Sequence, residues 1–332
     1  MTAVAVLGAG GWGTTLADLL ARRGHEVRLW AYEAEVVAAV NTRHENPVFL
    51  PGCSLAATLT ATSDALAAAR GAGVVLTVAP SHVLRRVVEA ARPGIEPDAL
   101  LVSATKGIEP TSLKLMSEVL EEVLPGHPVT ALSGPSFALE VFQGQPTAVV
   151  AAARQESTAR DVQAVFATPT FRVYTNTDVV GVELAGALKN VIAIAAGILE
   201  GLGLGNNPRA ALITRGLAEM TRLGVAMGAD PLTFAGLAGM GDLILTTTGA
   251  LSRNRALGVA LAQGQTLAGY TAAHRTVAEG VNTAQAAMAL ASRVGTELPI
   301  CGQVAAILFQ DKPPKQALVD LMERTLKSEQ WR

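Results

Sequence analysis

Between Lys114 and Lys312 the chain carries one lysine, Lys189, inside the run GVELAGALKNVIAIAAG at residues 181–197. Read as a helix, this run surrounds Lys189 with Val182, Ala185, Gly186, Ile192, Ala193 and Ala196, so its own face offers no opposite charge. No side of the helix is polar, which marks it as buried all round. Desolvation of an ammonium lowers its pKa toward neutrality, where the amine can both give and accept a proton. Arg, the usual basic residue in this part of the chain, cannot lose its proton at ordinary pH. Proton transfer is therefore one reading of Lys189. A lysine snorkelling out of a core helix is the other.

Three further patches place chemistry at element ends. VSATKG puts Lys106 just beyond a strand, on the side where doubly wound sheets bind ligands. LSGPSFALE places Gly134, Pro135 and Ser136 after the next strand, with a helix expected from Ser136. GMGDLILTTTGALSRNRALG supplies Asp242 and then Ser252, Arg253 and Asn254 at a helix start, where free N–H groups and a guanidinium suit a phosphate monoester. Taken singly, Ser252 also reads as a simple cap and Arg253 as a surface charge. His25, His44, His127 and His274 sit in turn-like contexts, and His82 has no nearby carboxylate in sequence to orient it as a base. No metal site is expected, since Cys53 and Cys301 are the only cysteines and form no ligand cluster.

A dinucleotide cradle opens the chain. In VAVLGAGGWGTTLADLLARRGHEVRLWAYE, Gly8, Gly10 and Gly13 satisfy G-x-G-x-x-G between a strand and an amphipathic helix, with a second strand following. The first glycine permits the turn, the second admits a pyrophosphate and the third allows helix and strand to pack closely. Glu33, preceded by Tyr32, falls about 20 residues beyond the last glycine, where a carboxylate accepts ribose hydroxyls and repels a 2′-phosphate. NAD is thus expected to be accepted, although a solvated loop residue is an equal reading of Glu33.

These residues need two kinds of scaffold. Apolar runs at 3–8, 26–31, 73–79, 99–105, 129–134, 147–152 and 171–175 predict strands covered on both faces. Alternation with helices predicts a doubly wound, Rossmann-type α/β domain over residues 1–180, with its order disturbed after residue 129. An all-helical substrate and catalytic domain is expected over residues 181–332. Its helices are expected to start at Asn207 followed by Pro208, at Asp230 followed by Pro231, and at Ser252. The 332 residues suit two such domains, and Lys189 lies just past their boundary, where ligand clefts form.

A formal net charge of −2 and only 4% aromatic residues argue against a nucleic-acid binder. No basic leader, disulfide framework or membrane span is read from the chain, so a cytoplasmic protein is expected.

Several stretches together carry a resemblance. GAGGWGTTLA, HENPVFLPG, ATKG, SGPSFALE, GVELAGALKNVIAIAAG, ALITRGLAEM, GMGDLILTTTG, SRNR and VAEGVNTA, in this order along nearly the whole chain, resemble the NAD(P)-dependent glycerol-3-phosphate dehydrogenases. The resemblance implies interconversion of glycerone phosphate and sn-glycerol 3-phosphate for glycerophospholipid synthesis, with NAD or NADP as cofactor. It implies that Lys189 gives and takes the proton at the substrate's central oxygen, with Asp242 beside it. It implies that Lys106, Gly134, Ser136, Ser252, Arg253 and Asn254 hold substrate. Gly11, Trp12, Lys106, Ala138, Arg253, Val277 and Glu279 would contact the dinucleotide. Bacterial members often carry a basic residue near Tyr32, and its absence here leaves the choice between NAD and NADP open. A homodimer is expected on the same analogy. Two rivals are a 3-hydroxyacid or ketopantoate-type dehydrogenase, which would need a carboxylate clamp, and a non-catalytic dinucleotide-sensing module.

Overall fold

The structure, a computed structural model, describes residues 2–274, 278–326, 328 and 329. Ten strands are described: β1 (Ala3–Leu7), β2 (Glu26–Trp30), β3 (Glu45–Asn46), β4 (Leu50–Ser54), β5 (Thr60–Thr62), β6 (Val74–Thr77), β7 (Leu100–Ser103), β8 (Val129–Ser133), β9 (Thr147–Ala152) and β10 (Phe171–Asn176). Eight form one sheet in the order β10-β9-β8-β7-β6-β1-β2-β5, and β3 with β4 makes a separate antiparallel hairpin. Pairing is parallel throughout the large sheet except between β8 and β9. The disturbed order expected after residue 129 is this single reversal.

Val4, Ala5, Val6 and Leu7 have no exposed surface, as a strand covered on both faces requires. One apolar layer packs Leu16, Leu20, Val162 and Phe166 against the sheet, and another packs Leu84, Val88, Met116 and Leu120. Strand order reverses between β1 and β6, both bonded along their length, so a crevice opens at their carboxyl ends. The sequence-predicted strands are present with slightly shifted ends. β5, at three residues, and the hairpin had no apolar run to announce them.

From Val179 onward the described elements are helical. The helix Val179–Gly201 is buried almost all round and is the core of this half. It is long and apolar enough to cross a membrane, yet 89% of its apolar window is buried inside the protein's own fold. The helix Arg253–Ala262 lies against it at very short range. A Cβ on Gly197 would stand 1.9 Å from the Arg255 carbonyl oxygen, and one on Gly258 would stand 2.0 Å from that of Ile194. Glycine at both positions is what lets the two backbones meet.

Helix starts follow side-chain chemistry with two corrections. Asp230 caps Pro231–Phe234 by accepting from Leu232 N at 2.9 Å, and Ser252 caps Arg253–Ala262 by accepting from Arg255 N at 3.2 Å. The helix expected from Asn207 begins earlier, as Asn206–Ala226 with Gly205 at its cap. Pro208 still falls in the first turn, where its missing N–H breaks no helical bond. The helix expected from Ser136 begins later and is short, Ala138–Phe142, because the Ser136 hydroxyl is bonded to the Gly134 carbonyl instead of capping a helix.

Candidate active site

The glycine loop is held by contacts that only glycine permits. Gly8 has φ +129°, and a Cβ on it would lie 2.7 Å from Ala79 N, on the loop after β6. A Cβ on Gly13 would lie 1.9 Å from the Gly8 carbonyl oxygen, so this residue closes the helix Gly11–Arg22 onto the turn. Gly10 is different: a Cβ there meets nothing within 4 Å, so its outer side is open. No side chain caps this helix, which leaves its first N–H groups available to an anion. An open second glycine over an uncapped helix start fits a pyrophosphate.

Asn46, which sequence reasoning passed over, braces the loop from below. Fully buried, it donates to the Ala9 carbonyl and the Thr14 hydroxyl, both at 2.8 Å, and accepts from Phe49 N at 3.0 Å. Only its place in the hairpin gives it this reach, and a two-residue strand carries no periodic signal. Ala138 adjoins the loop, accepting from the Thr15 hydroxyl at 3.1 Å, while Trp12 packs against Phe171 at 6.3 Å. Tyr32 is 80% exposed, and Glu33 heads the helix Ala34–Arg43 without a capping bond from its side chain. Val277 lies outside the described residues.

The lysine that no charge on its own helix could balance is met from another element. Asp242 opens the helix Asp242–Thr248, directly after the π-helical turn Leu237–Gly241. Its Oδ1 accepts from Lys189 Nζ at 2.6 Å and its Oδ2 accepts from Lys106 Nζ at 2.6 Å. One turn on, Thr246 accepts from Lys189 Nζ at 2.7 Å and donates to the Asp242 carbonyl at 2.7 Å. Lys106 also donates to the Gly134 carbonyl at 3.0 Å, the same oxygen that takes the Ser136 hydroxyl. Gly134, at φ +137°, tolerates no Cβ, which would come 2.9 Å from Val149 Cα.

Lys189 is 7% exposed and Asp242 wholly buried. Burial pushes the Lys189 ammonium down to about 7; Asp242 opposes that fall and the second cation, Lys106, adds to it. Such an amine exchanges protons near neutrality. Thr246 was not singled out from the sequence, although its spacing of four from Asp242 on one helix was a usable signal.

The remaining predicted residues divide. Lys106, Gly134, Ser136, Lys189 and Asp242 come together in one cluster. Asn254 is buried, donating to Asn190 Oδ1 at 2.9 Å and accepting from Gly280 N at 3.0 Å, so it joins three helices beside Lys189. Ser252 is a buried cap. Arg253, by contrast, is exposed as a residue, while burial around its guanidinium lowers its pKa and Glu279 and Tyr270 oppose that fall. Glu279 accepts from the Ser81 hydroxyl at 3.0 Å across the crevice, and its Oε2 would stand 3.4 Å from a Cβ on Gly107, the residue after Lys106. Burial pushes its carboxyl up to about 7. His82 is exposed and pairs with Asn282 at 3.3 Å, outside the lysine cluster. Among the described residues no group of side chains could hold a metal ion.

Comparison with known proteins places this geometry. Residues 3–159 match the family model of the NAD-dependent glycerol-3-phosphate dehydrogenase N-terminus, and residues 178–319 match that of the C-terminus. A glycerol-3-phosphate dehydrogenase [NAD(P)+] of Geobacter sp. (strain M21) is 57% identical, covering 98% of each chain. The crystal structure of a glycerol-3-phosphate dehydrogenase from Coxiella burnetii is 41% identical with a TM-score of 0.94, covering 97% of this chain and 99% of that one. The corresponding enzyme from Saccharomyces cerevisiae is 28% identical with a TM-score of 0.80, covering 98% and 99%.

Proposed function

Given that the chain belongs to the NAD-dependent glycerol-3-phosphate dehydrogenase family, we propose that Lys189 carries the proton of the reaction that family performs. The protein interconverts glycerone phosphate and sn-glycerol 3-phosphate with NAD(P)(H), a reaction that supplies the backbone of glycerophospholipids. The dinucleotide, when bound, supplies or removes the hydride at the substrate's central carbon. What this chain's own residues must do is hold the substrate and manage the proton at its central oxygen.

The observation that carries this reading is the Lys189 amine, buried, fixed by Asp242 and Thr246, and poised at about 7. In reduction Lys189 Nζ gives a proton to the oxygen as its negative charge grows; in oxidation it takes that proton back. General acid–base help of this kind contributes roughly 10²–10⁴-fold. Asp242 keeps the amine in register and shares its charge with Lys106. Lys106, Gly134 and Ser136 line the substrate's side of the sheet, while Arg253 is the guanidinium that meets the phosphate. Ser252 and Asn254 act from within by fixing the helix start that carries Arg253. Gly8, Gly10, Gly11, Trp12, Gly13 and Ala138 would form the dinucleotide cradle, where Glu33, next to Tyr32, would offer a carboxylate to a ribose and Glu279 a further contact.

The sheet over residues 1–180 acts as the nucleotide domain and residues 181–332 as the substrate domain. Free, buried Cys53 and Cys301 suit a reducing cytoplasm. A homodimer is supported by exposed Tyr174 and Leu232, which share the rim of one cavity, and sedimentation analysis checks it. The hydroxy-acid and sensing rivals lose ground to a site with one exposed Arg and an intact proton carrier. The test is consumption of NADH with glycerone phosphate by the wild type and by Lys189→Ala. Turnover should vanish in the variant while NADH binding stays. Near-normal turnover would sink the assignment.

A further inference from the structure

The helix that carries Lys189 reaches the sheet domain a second time. Glu183, six residues before Lys189 and 6% exposed, lies roughly 9 Å up the same helix. Its carboxylate accepts from Ser117 N at 2.9 Å and from the Ser117 hydroxyl at 2.5 Å. Ser117 is in the first turn of the helix Met116–Val123, whose cap, Leu115, has no side-chain oxygen. Glu118 takes the Leu115 N–H at 2.7 Å, and Glu183 takes the Ser117 N–H from across the domain seam. The charges that act on it are Glu118 and Glu121, both acidic, and burial with their repulsion pushes the carboxyl up to about 7. An apolar pair of similar size in place of Glu183 and Ser117 would be about as stable, so stability alone does not call for this glutamate.

Its place in the chain supplies the reason. Ser117 closes the segment that starts at Lys106. That segment is anchored midway by Glu109, which Arg85 holds with two bonds of 2.9 Å. The stretches bearing the two lysines are therefore joined twice: through Asp242 at the chemistry, and through Glu183 to Ser117 behind it. We infer that Glu183 is a positioning residue that sets Lys106 and Lys189 at a fixed spacing across the seam, so that substrate gripped by one amine meets the proton of the other. This rests on Lys189 as the proton carrier.

The experiment compares Glu183→Gln, Glu183→Leu, Ser117→Ala and Lys189→Ala in the full-length enzyme. Gln keeps an acceptor for Ser117 N and offers an amide to its hydroxyl, so kcat and the KM for glycerone phosphate should stay within about twofold of wild type. Leu keeps the bulk and loses the bonds, and kcat/KM for glycerone phosphate should fall about tenfold or more. The Kd of NADH, read from its fluorescence, should not move in either. A Glu183→Leu protein that is folded by circular dichroism and turns over like wild type overturns the inference. So does equal impairment of Glu183→Gln, which would make charge and not geometry the cause. Should Glu183→Leu fail to fold, Ser117→Ala removes one of the two bonds and should lower kcat/KM about threefold at unchanged NADH affinity; no loss there overturns the inference. Lys189→Ala separates the two claims. If it turns over, the proton-carrier reading falls, whereas a dead Lys189→Ala beside a normal Glu183→Leu removes only the positioning role.

Discussion

Asp242 is the residue on which the site balances, because it is the wholly buried counter-charge to two amines. Taking one partner from a buried ion pair costs about 3–5 kcal/mol, since it leaves charge without compensation. Asp242→Asn should therefore lose stability of that order in urea unfolding and lose turnover as well. The Lys189 pKa of about 7 makes a second residue-scale prediction with opposite signs for the two directions. Reduction needs the protonated amine, so its rate should fall as pH rises above about 7. Oxidation needs the neutral amine, so its rate should fall as pH drops below about 7. Rate profiles of the two directions should cross, and parallel profiles would deny Lys189 the role. Lys189 was legible in the sequence as a lone lysine inside an apolar helix, and Lys106 and Asp242 as residue types at element ends. That one carboxylate would bind both amines was not, because Asp242 lies 53 residues from Lys189 and 136 from Lys106.

Elements here are set by close approach as much as by pattern. Gly197 and Gly258 allow two helices to touch backbone to backbone, and a Cβ at either would strike a carbonyl oxygen. Gly197→Ala should destabilise by about 1–3 kcal/mol or more, read as a lower Tm, while leaving the lysine cluster's residues intact. Glu219 offers a second element-scale test. It accepts from Ile300 N at 2.7 Å and Cys301 N at 3.3 Å, capping the helix Pro299–Phe309, and burial pushes its carboxyl up to about 7 from 4.5. The folded state then binds more protons than the unfolded one between those values, so this group's contribution falls as pH rises through that window. Glu219→Gln should flatten that part of the stability profile, measured by urea midpoints. The apolar strands and buried helices were readable because burial on all sides leaves uninterrupted apolar runs. The Asn46 hairpin and β5 were not, because their determinants are partners far away in sequence, and the start at Asn206 was missed because its cap is Gly205, with no capping side chain to announce it.

At the scale of the whole molecule the same linkage acts through Lys189 with the reverse sign. Its folded pKa lies below the unfolded 10.5, so the unfolded chain binds more protons between about 7 and 10.5, and this group favours folding increasingly as pH rises through that range. Removing the amine in Lys189→Ala should abolish that slope. For the cofactor, Glu33 with no basic residue beside it in sequence leads us to expect that NADH is accepted; steady-state kinetics with NADH and NADPH checks it, and a strong NADPH preference would overturn the expectation. The two-part architecture could be read from the change of period near residue 180, since strands and helices repeat differently.

A carboxylate held between two amines works as a pair of scales. If Lys189 carries the proton and Lys106 holds substrate, as we propose, then once Lys189 has parted with that proton the full pull of Asp242 rests on Lys106, drawing that ammonium off the newly made alcohol. Delivery of the proton thereby unlatches what it has just produced, and departure of glycerol phosphate, followed by stopped flow, should quicken as the medium is made more alkaline through neutrality.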